Sequence, residues 1–340
     1  FFLFSATFGQ LADKLEKSRL IRLTKILEIF IMLIAVAAFY TGNIGLLMLT
    51  LFLLGTQSAL FGPVKYSILP QALSTQELVG GNALIGSGTF VAILTGTLCG
   101  GFLISAGEHG KLYVSVLMLS VAVLGFLASL LIPKANIGSP KLKINWHLFS
   151  ATLNNLRLAR QNRTVFLSVL GVSWFWFYGS LFFYQAPNYV KKVLGGGPHM
   201  VTVLITVFAI GIGVGSLLCE RLSRRRIEIG LVPIGAIGLS LFSLLLFFIQ
   251  PSDMTIQQTL PQFLSHFHSW LLLFCLFLLA VSGGIYSVPL YALIQDRSEP
   301  QSLSRIVAAN NILNALFMVA AALFAIVFLS IGMTIPHLFL

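Results

Sequence analysis

Nine apolar runs, each about 20 residues long, follow one another between short polar connections. A bilayer core about 30 Å thick needs roughly that many residues in an α-helix. The runs are Leu23–Tyr40, Asn43–Gly62, Ala83–Ser105, Leu112–Ile132, Thr164–Ala186, Met200–Cys219, Ile229–Ile249, Trp270–Leu290 and Ile306–Phe328. Phe1–Phe8 reads as the end of an earlier helix, and Ile335–Leu340 as the start of a later one. Charge content agrees, because 9% of the residues are charged and 57% are hydrophobic. A soluble domain carries about 25% charged residues, and a fold of this size could not cover its surface with so few. The fold class expected is therefore an all-α membrane protein.

The net charge of +11 does not point to nucleic acid, since the basic residues fall between apolar runs rather than on one soluble face. Alternate connections differ sharply. One side holds 18 of the 21 Lys and Arg, and the other holds only Lys111, Lys191 and Lys192. The positive-inside rule makes the first side cytoplasmic. The longest connection on that side, Pro133–Arg163, has six basic residues and no acidic one. Within it, WHLFSATLNNLRLAR has two readings: an amphipathic helix lying on anionic lipid, or a simple linker. It divides the chain into an N-terminal helical half (1–133), a central cytoplasmic loop (134–163) and a C-terminal helical half (164–340).

Two segments repeat. GQLADKLEKSR (Gly9–Arg19) aligns without gaps to SLLCERLSRRR (Ser216–Arg226), pairing Asp13 with Glu220 and Lys14 with Arg221. LFGPVKYSILPQ (Leu60–Gln71) resembles YSVPLYALIQDR (Tyr286–Arg297). A parallel repeat of two helical halves is a transporter signature.

Gly9, Leu11, Ala12, Asp13, Lys14 and Arg19 resemble the signature between the second and third helices of the major facilitator superfamily, with Glu16 where glycine is usual. The resemblance implies twelve helices in two six-helix halves. Counted from the signature, helix 1 is absent here and helices 2 and 12 are partial. Four further runs, GPVKYSILPQ (Gly62–Gln71), SWFWFYGS (Ser173–Ser180), QAPNYV (Gln185–Val190) and VPLYALIQ (Val288–Gln295), are similar to the bacterial lysophospholipid transporter branch. That includes versions fused to, or acting with, a phospholipid acyltransferase and acyl-carrier synthetase. The branch resemblance implies inward movement of lysophospholipid across the cytoplasmic (inner) membrane for reacylation. Phe183 stands where stand-alone members carry a basic residue in the seventh helix.

Candidate residues follow. Gly9, Asp13, Lys14 and Arg19, with Glu220 and Arg221 in the second copy, form a candidate cytoplasmic gate in which Asp13 pairs with a basic residue and caps a neighbouring helix. A solvated loop acid is the plain alternative. Glu28 is the sole acid inside a run, read either as paired with Lys25 near the helix mouth or as a proton site. Lys65 either meets a lipid phosphate as a point charge or anchors its helix among headgroups, with Tyr66 beside it. Trp176, Gln185 and Asn188, among the aromatics of one run, and Asn310 and Asn311 complete the substrate-cavity candidates, since polar groups within spans face the protein interior. Gly96 with Gly100 and Gly211 with Gly215 have the spacing of close helix packing.

No catalytic group, metal site or cofactor is expected. The three cysteines are widely spaced, His266 and His268 are too few to hold a metal, and no Walker motif occurs. No His-x-x-x-x-Asp pair occurs either, so an acyltransferase site is not expected within this segment, although a separate acyltransferase domain beyond residue 340 is compatible with the sequence. The function expected is a secondary carrier for lysophospholipid working by alternating access. The alternative is a carrier of the same fold for another small solute or drug.

Overall fold

The computed structural model describes residues 2–224, 226–249 and 259–340. The connection Gln250–Ser269 and Arg225 therefore lie partly or wholly outside the described residues. Among those described, every regular element is helical. In chain order these are α1 (Ser5–Lys14), α2 (Lys17–Thr41), α3 (Ile44–Ser67), α4 (Leu69–Ala72), α5 (Leu78–Ile104), α6 (Gly110–Leu130), α7 (Leu148–Gln161), α8 (Arg163–Lys192), α9 (Pro198–Leu222), α10 (Leu231–Phe248), α11 (Leu260–Ser265), α12 (Phe267–Arg297), α13 (Leu303–Ser330) and α14 (Ile335–Leu338).

Among the described residues, eight helices are long and apolar enough to cross a membrane. The remaining expected run, Leu23–Tyr40, lies within α2, which holds Lys25 and Glu28. Several helices outlast their apolar runs. The run Thr164–Ala186 becomes Arg163–Lys192, and Trp270–Leu290 becomes Phe267–Arg297. Hydropathy registers only the part of a helix that suits hydrocarbon, whereas intrahelical hydrogen bonding continues into the polar flanks.

Local chemistry sets the boundaries. Asn43 caps α3 by accepting from the Leu46 N–H at 3.1 Å. Gly42 ends α2 with φ 63°, a left-handed conformation open to glycine. Threonines such as Thr24 and Thr50 return their hydroxyls to the carbonyl four residues back, at 2.7 and 2.9 Å. That keeps a polar atom satisfied where no water reaches it.

The described chain forms two compact units of non-consecutive segments. The first comprises residues 1–74, 96–167 and 294–315; the second comprises 75–95, 168–293 and 316–340. In the first, α2 packs along both α3 and α6. A small core of Ala12, Leu20, Ile21 and Val64 joins α1, α2 and α3. In the second, α9 and α12 come close enough that a methyl on Gly211 would lie 2.6 Å from the Ala280 Cβ, and one on Gly215 would collide with the Val281 backbone. Among the described residues, nothing lies within 4 Å of a Cβ added at Gly96 or Gly100, so none of them packs there in this way. Also in the second unit, Leu181, Ala321, Ala325 and Leu338 share one core. The Tyr178 hydroxyl lies 2.6 Å from the Ser243 hydroxyl and donates to the Phe339 carbonyl at 3.2 Å.

Candidate functional site

Asp13 joins two helices of the first unit through its carboxylate. It is completely buried at the end of α1. Its Oδ1 accepts from the Ser304 N–H at 2.9 Å; its Oδ2 accepts from the Arg305 N–H at 3.3 Å and from Arg305 Nε at 2.9 Å. These two amides lie in the first turn of α13, whose donors have no intrahelical partner. The Ser302 hydroxyl donates back to the Glu299 carbonyl and leaves those amides free, so α13 is capped from another helix. Burial pushes the Asp13 carboxyl above the ordinary aspartate range, against the pull of Ser304 and Arg305. The favourable interaction of a carboxylate with a helix N-terminus reinforces the ion pair.

Gly9 makes this approach possible. A Cβ at Gly9 would lie 2.6 Å from the Ala308 Cβ and 2.9 Å from the Ser304 carbonyl oxygen. One turn of α1 thus carries the glycine that admits α13 and the aspartate that caps it. Nearby, the Ser67 and Ser304 hydroxyls meet at 2.9 Å, and Gln295 Nε2 donates to the Tyr66 carbonyl at 3.1 Å.

Glu16, the departure from the signature, has a defined task. It is the N-cap of α2, accepting from the Ser18 and Arg19 amides and from the Ser18 hydroxyl, each at 2.9 Å. It also accepts from the Ala135 amide at 2.9 Å, tying the start of the central loop to the α1–α2 turn. Burial raises its pKa, but the hydrogen bonds from Ala135, Ser18 and Arg19 outweigh that and hold it at about 2. The same loop continues across the turn. The Ser139 amide donates to the Asp13 carbonyl at 2.7 Å, and its hydroxyl to the Gln301 carbonyl at 2.9 Å. Lys17 is fully buried beside these groups, and its Nζ has no hydrogen-bond partner among the described residues. Burial lowers its pKa, opposed by the charges of Asp13 and Glu16. Lys14 is half-buried, while Arg19 is exposed, 3.9 Å from Glu16.

The second copy of the motif lies in the second unit. The Glu220 carboxylate occupies the space above Gly80, in the first turn of α5, where a Cβ would meet Oε1 at 2.5 Å. Arg221 is exposed. Each copy of the repeated turn therefore aims its acid at the beginning of a helix, Asp13 at α13 and Glu220 at α5.

Within α2 and α3, Glu28 Oε2 accepts from Lys25 Nζ at 2.8 Å and from Gln57 Nε2 at 2.9 Å. The Lys25 ammonium also lies 5.0 Å from the centre of the Phe61 ring. The pairing reading of Glu28 thus has its geometry, with a second donor that sequence reasoning missed. Gln57 gave a signal, an amide amid an apolar run, but nothing in sequence placed it beside Glu28. The Lys65 ammonium lies 4.8 Å from the centre of its neighbour's ring, Tyr66. Asn311 turns its amide toward Gly62, where a Cβ would be 2.7 Å away. Asn310 is buried, and neither side-chain atom finds a partner among the described residues.

On α8, in the second unit, Trp176 Nε1 donates to the Tyr291 hydroxyl at 3.1 Å. Gln185 is buried, and its Oε1 accepts from the exposed Asn188 at 3.1 Å. Trp174 stacks on Tyr178 with ring centres 5.9 Å apart. Among the described residues, no three His, Cys, Asp or Glu gather as they would around a metal.

Long apolar helices, and two copies of one turn that each direct a carboxylate at a helix start, define a multi-pass membrane protein of the two-fold repeat kind. The chain belongs to the Major Facilitator Superfamily, whose pattern matches residues 1–336. It is similar to the lysophospholipid transporter LplT of Pectobacterium carotovorum, 29% identical over 86% of this chain and 65% of that protein. The LplT of Photorhabdus laumondii is 27% identical over 85% of this chain and 66% of its own length. That of Yersinia pestis is 28% identical over 73% and 56% respectively. The chain thus spans somewhat less than two thirds of the length of these relatives. Among solved structures, the fold is similar to the human organic anion transporter MFSD10 (TM-score 0.75, 15% identity, 99% of this chain and 79% of that one). It is also similar to the E. coli fucose:proton symporter FucP (TM-score 0.72, 15% identity, 99% and 83%).

Proposed function

We propose that this chain serves a secondary transporter that carries lysophospholipid, of the lysophosphatidylethanolamine kind, inward across the bacterial cytoplasmic membrane by alternating access. The observation that carries the reading is kinship along 86% of the chain with a protein named as a lysophospholipid transporter. The 18 Lys and Arg on one side support an orientation with the central loop in the cytoplasm. Reacylation of the cargo assigns a partner as well, an acyltransferase and acyl-carrier synthetase, fused or associated. The chain itself is a carrier, with no chemical step of its own.

In this reading, Gly9, Asp13, Lys14 and Arg19, with Glu220 and Arg221, work as the cytoplasmic gate. The capping of α13 by Asp13 favours the outward-facing state and must be released for the inward-facing one. Glu28, Lys65, Tyr66, Trp176, Gln185, Asn188, Asn310 and Asn311 serve the cargo, with amides and charges for the headgroup and rings for the chain. Asn310 is the most telling of these. A buried amide without a partner costs stability, and such a cost is kept where a ligand supplies the missing bonds.

The test is uptake of labelled lysophosphatidylethanolamine into proteoliposomes containing the full-length protein. Inward movement well above empty liposomes is expected. Uptake no greater than in empty liposomes, with the protein folded and correctly inserted, would reject the lipid cargo.

A further inference from the structure

Helix α7 has two faces of different character. Ala151, Asn155 and Ala159, spaced i, i+4 and i+8, form a buried stripe. Ala151 packs with Ala6 of α1 and Ile312 of α13 in one apolar cluster. Asn155 Nδ2 donates to the Ala6 carbonyl at 3.2 Å. Just ahead of the helix, the Asn145 amide donates to Gln10 Oε1 at 2.7 Å, and Gln10 Nε2 returns a bond to the Asn145 carbonyl at 3.4 Å. So α7 lies across the line where α1 meets α13, the same contact that holds Gly9 against Ala308 and Asp13 against Arg305.

The opposite face should be polar if it met water. Instead Phe149 is 78% exposed and Leu153 53%, and Trp146, two residues ahead of the helix, is 73% exposed. Phe149, Leu153, Arg157 and Arg160 follow one another along a single side of the helix. Lys141, Lys143, Arg157, Arg160 and Arg163 are all exposed, and the segment from Pro133 to Arg163 has no acid to neutralise them. The chain enters this segment from α6 and leaves it into α8, both long and apolar enough to cross a membrane, so α7 is held near the bilayer at both ends. Aromatic and aliphatic side chains beside arginines, on a helix tethered this way, match the boundary between headgroups and acyl chains. The unopposed positive charge matches an anionic leaflet, where each basic residue adds roughly fivefold in affinity.

We propose that α7 is an anionic-phospholipid-binding helix that straps the α1–α13 seam. Trp146, Phe149 and Leu153 enter the acyl boundary, Arg157 and Arg160 take headgroup phosphates, and the Ala151–Asn155–Ala159 stripe holds the seam beneath. Anionic lipid then stabilises the closed contact between α1 and α13. The inference needs only the membrane fold, and stands apart from the identity of the cargo.

The experiment places a nitroxide at Phe149→Cys, and separately at the exposed Asn154→Cys, in the full-length protein carrying Cys99→Ser. Collision rates with oxygen and with a nickel chelate are read in nanodiscs of phosphatidylcholine alone and with 30% phosphatidylglycerol. With phosphatidylglycerol, the Phe149 probe should favour oxygen over nickel by about tenfold relative to the Asn154 probe. Adding Arg157→Glu and Arg160→Glu should remove most of that preference. Three results would overturn the proposal: nickel access at Phe149 equal to that at Asn154, immersion independent of phosphatidylglycerol, or protection from both reagents in lipid-free detergent. The last would mean that protein, rather than lipid, covers this face.

Discussion

The carboxylate of Asp13 and the guanidinium of Arg305 meet at 2.9 Å across 292 residues of sequence. The Asp13 side chain is fully buried, and that of Arg305 is 21% exposed. The same carboxylate takes two amides in the first turn of α13. The pair is therefore at once an ion pair and a helix cap, and either function alone would need only part of this geometry.

Replacing Asp13 by Asn keeps one acceptor but removes the charge. Asn still accepts from one amide, so what is lost is the charge-assisted part of the contact, about 1–2 kcal/mol, which is roughly tenfold in the balance between two states at about 1.4 kcal/mol per decade. Lysophospholipid uptake should fall by about that factor while the variant still reaches the membrane in normal amount. Uptake equal to wild type would reject the gate role of Asp13.

Gly9→Ala places a methyl 2.6 Å from the Ala308 Cβ. Overpacking costs about 1–3 kcal/mol, so the thermal midpoint in detergent should drop. Ala308→Gly in the same molecule should recover only part of the loss, because the Ser304 carbonyl oxygen, 2.9 Å from the new methyl, remains; two unrelated defects would simply add.

Glu28→Gln leaves Lys25 without its counter-charge. Hydrogen bonds to charged groups contribute about 1.5–3 kcal/mol, and a loss of that order is expected in thermal stability. Adding Lys25→Met removes the stranded ammonium and should restore part of it. A double variant as unstable as the sum of the single ones would show that Lys25 and Glu28 are not coupled. Gln57→Leu should cost less, because the ion pair survives it.

Glu16 gives a dependence on pH with a definite sign. Its folded pKa, about 2, lies below the unfolded value, so its contribution is complete above about pH 4.5 and is lost as the pH falls toward 2. The difference in thermal midpoint between wild type and Glu16→Gln should be constant at neutral pH and should narrow on acidification through that window. A difference that persists unchanged at pH 2 would assign the effect to shape rather than charge.

The membrane helices were legible in sequence because each is a local object. An apolar run of the right length satisfies its own backbone and needs no partner to be recognised. The repeat was legible for a related reason, since Asp13 and Glu220 occupy the same turn chemistry, and in each unit the acid is found at a helix start. Leu148–Gln161 could be read as an amphipathic helix, because its periodicity is written in consecutive residues.

What lay beyond the sequence was every pairing between distant segments. Arg305 counted only as a loop charge, and nothing adjacent to it in the chain identifies Asp13 as its partner. Glu16 read as a departure from a signature, and only the folded loop shows it capping α2 while holding the Ala135 amide. Gln57 meets Glu28 only because α3 lies against α2. The two glycine pairs had the same spacing, yet only Gly211 and Gly215 admit a neighbouring helix. Hydrophobic period and turn chemistry are properties of a few successive residues, so one chain determines them by itself. Which charge meets which, and which glycine meets a backbone, depends on how helices approach one another, and only the tertiary structure decides that.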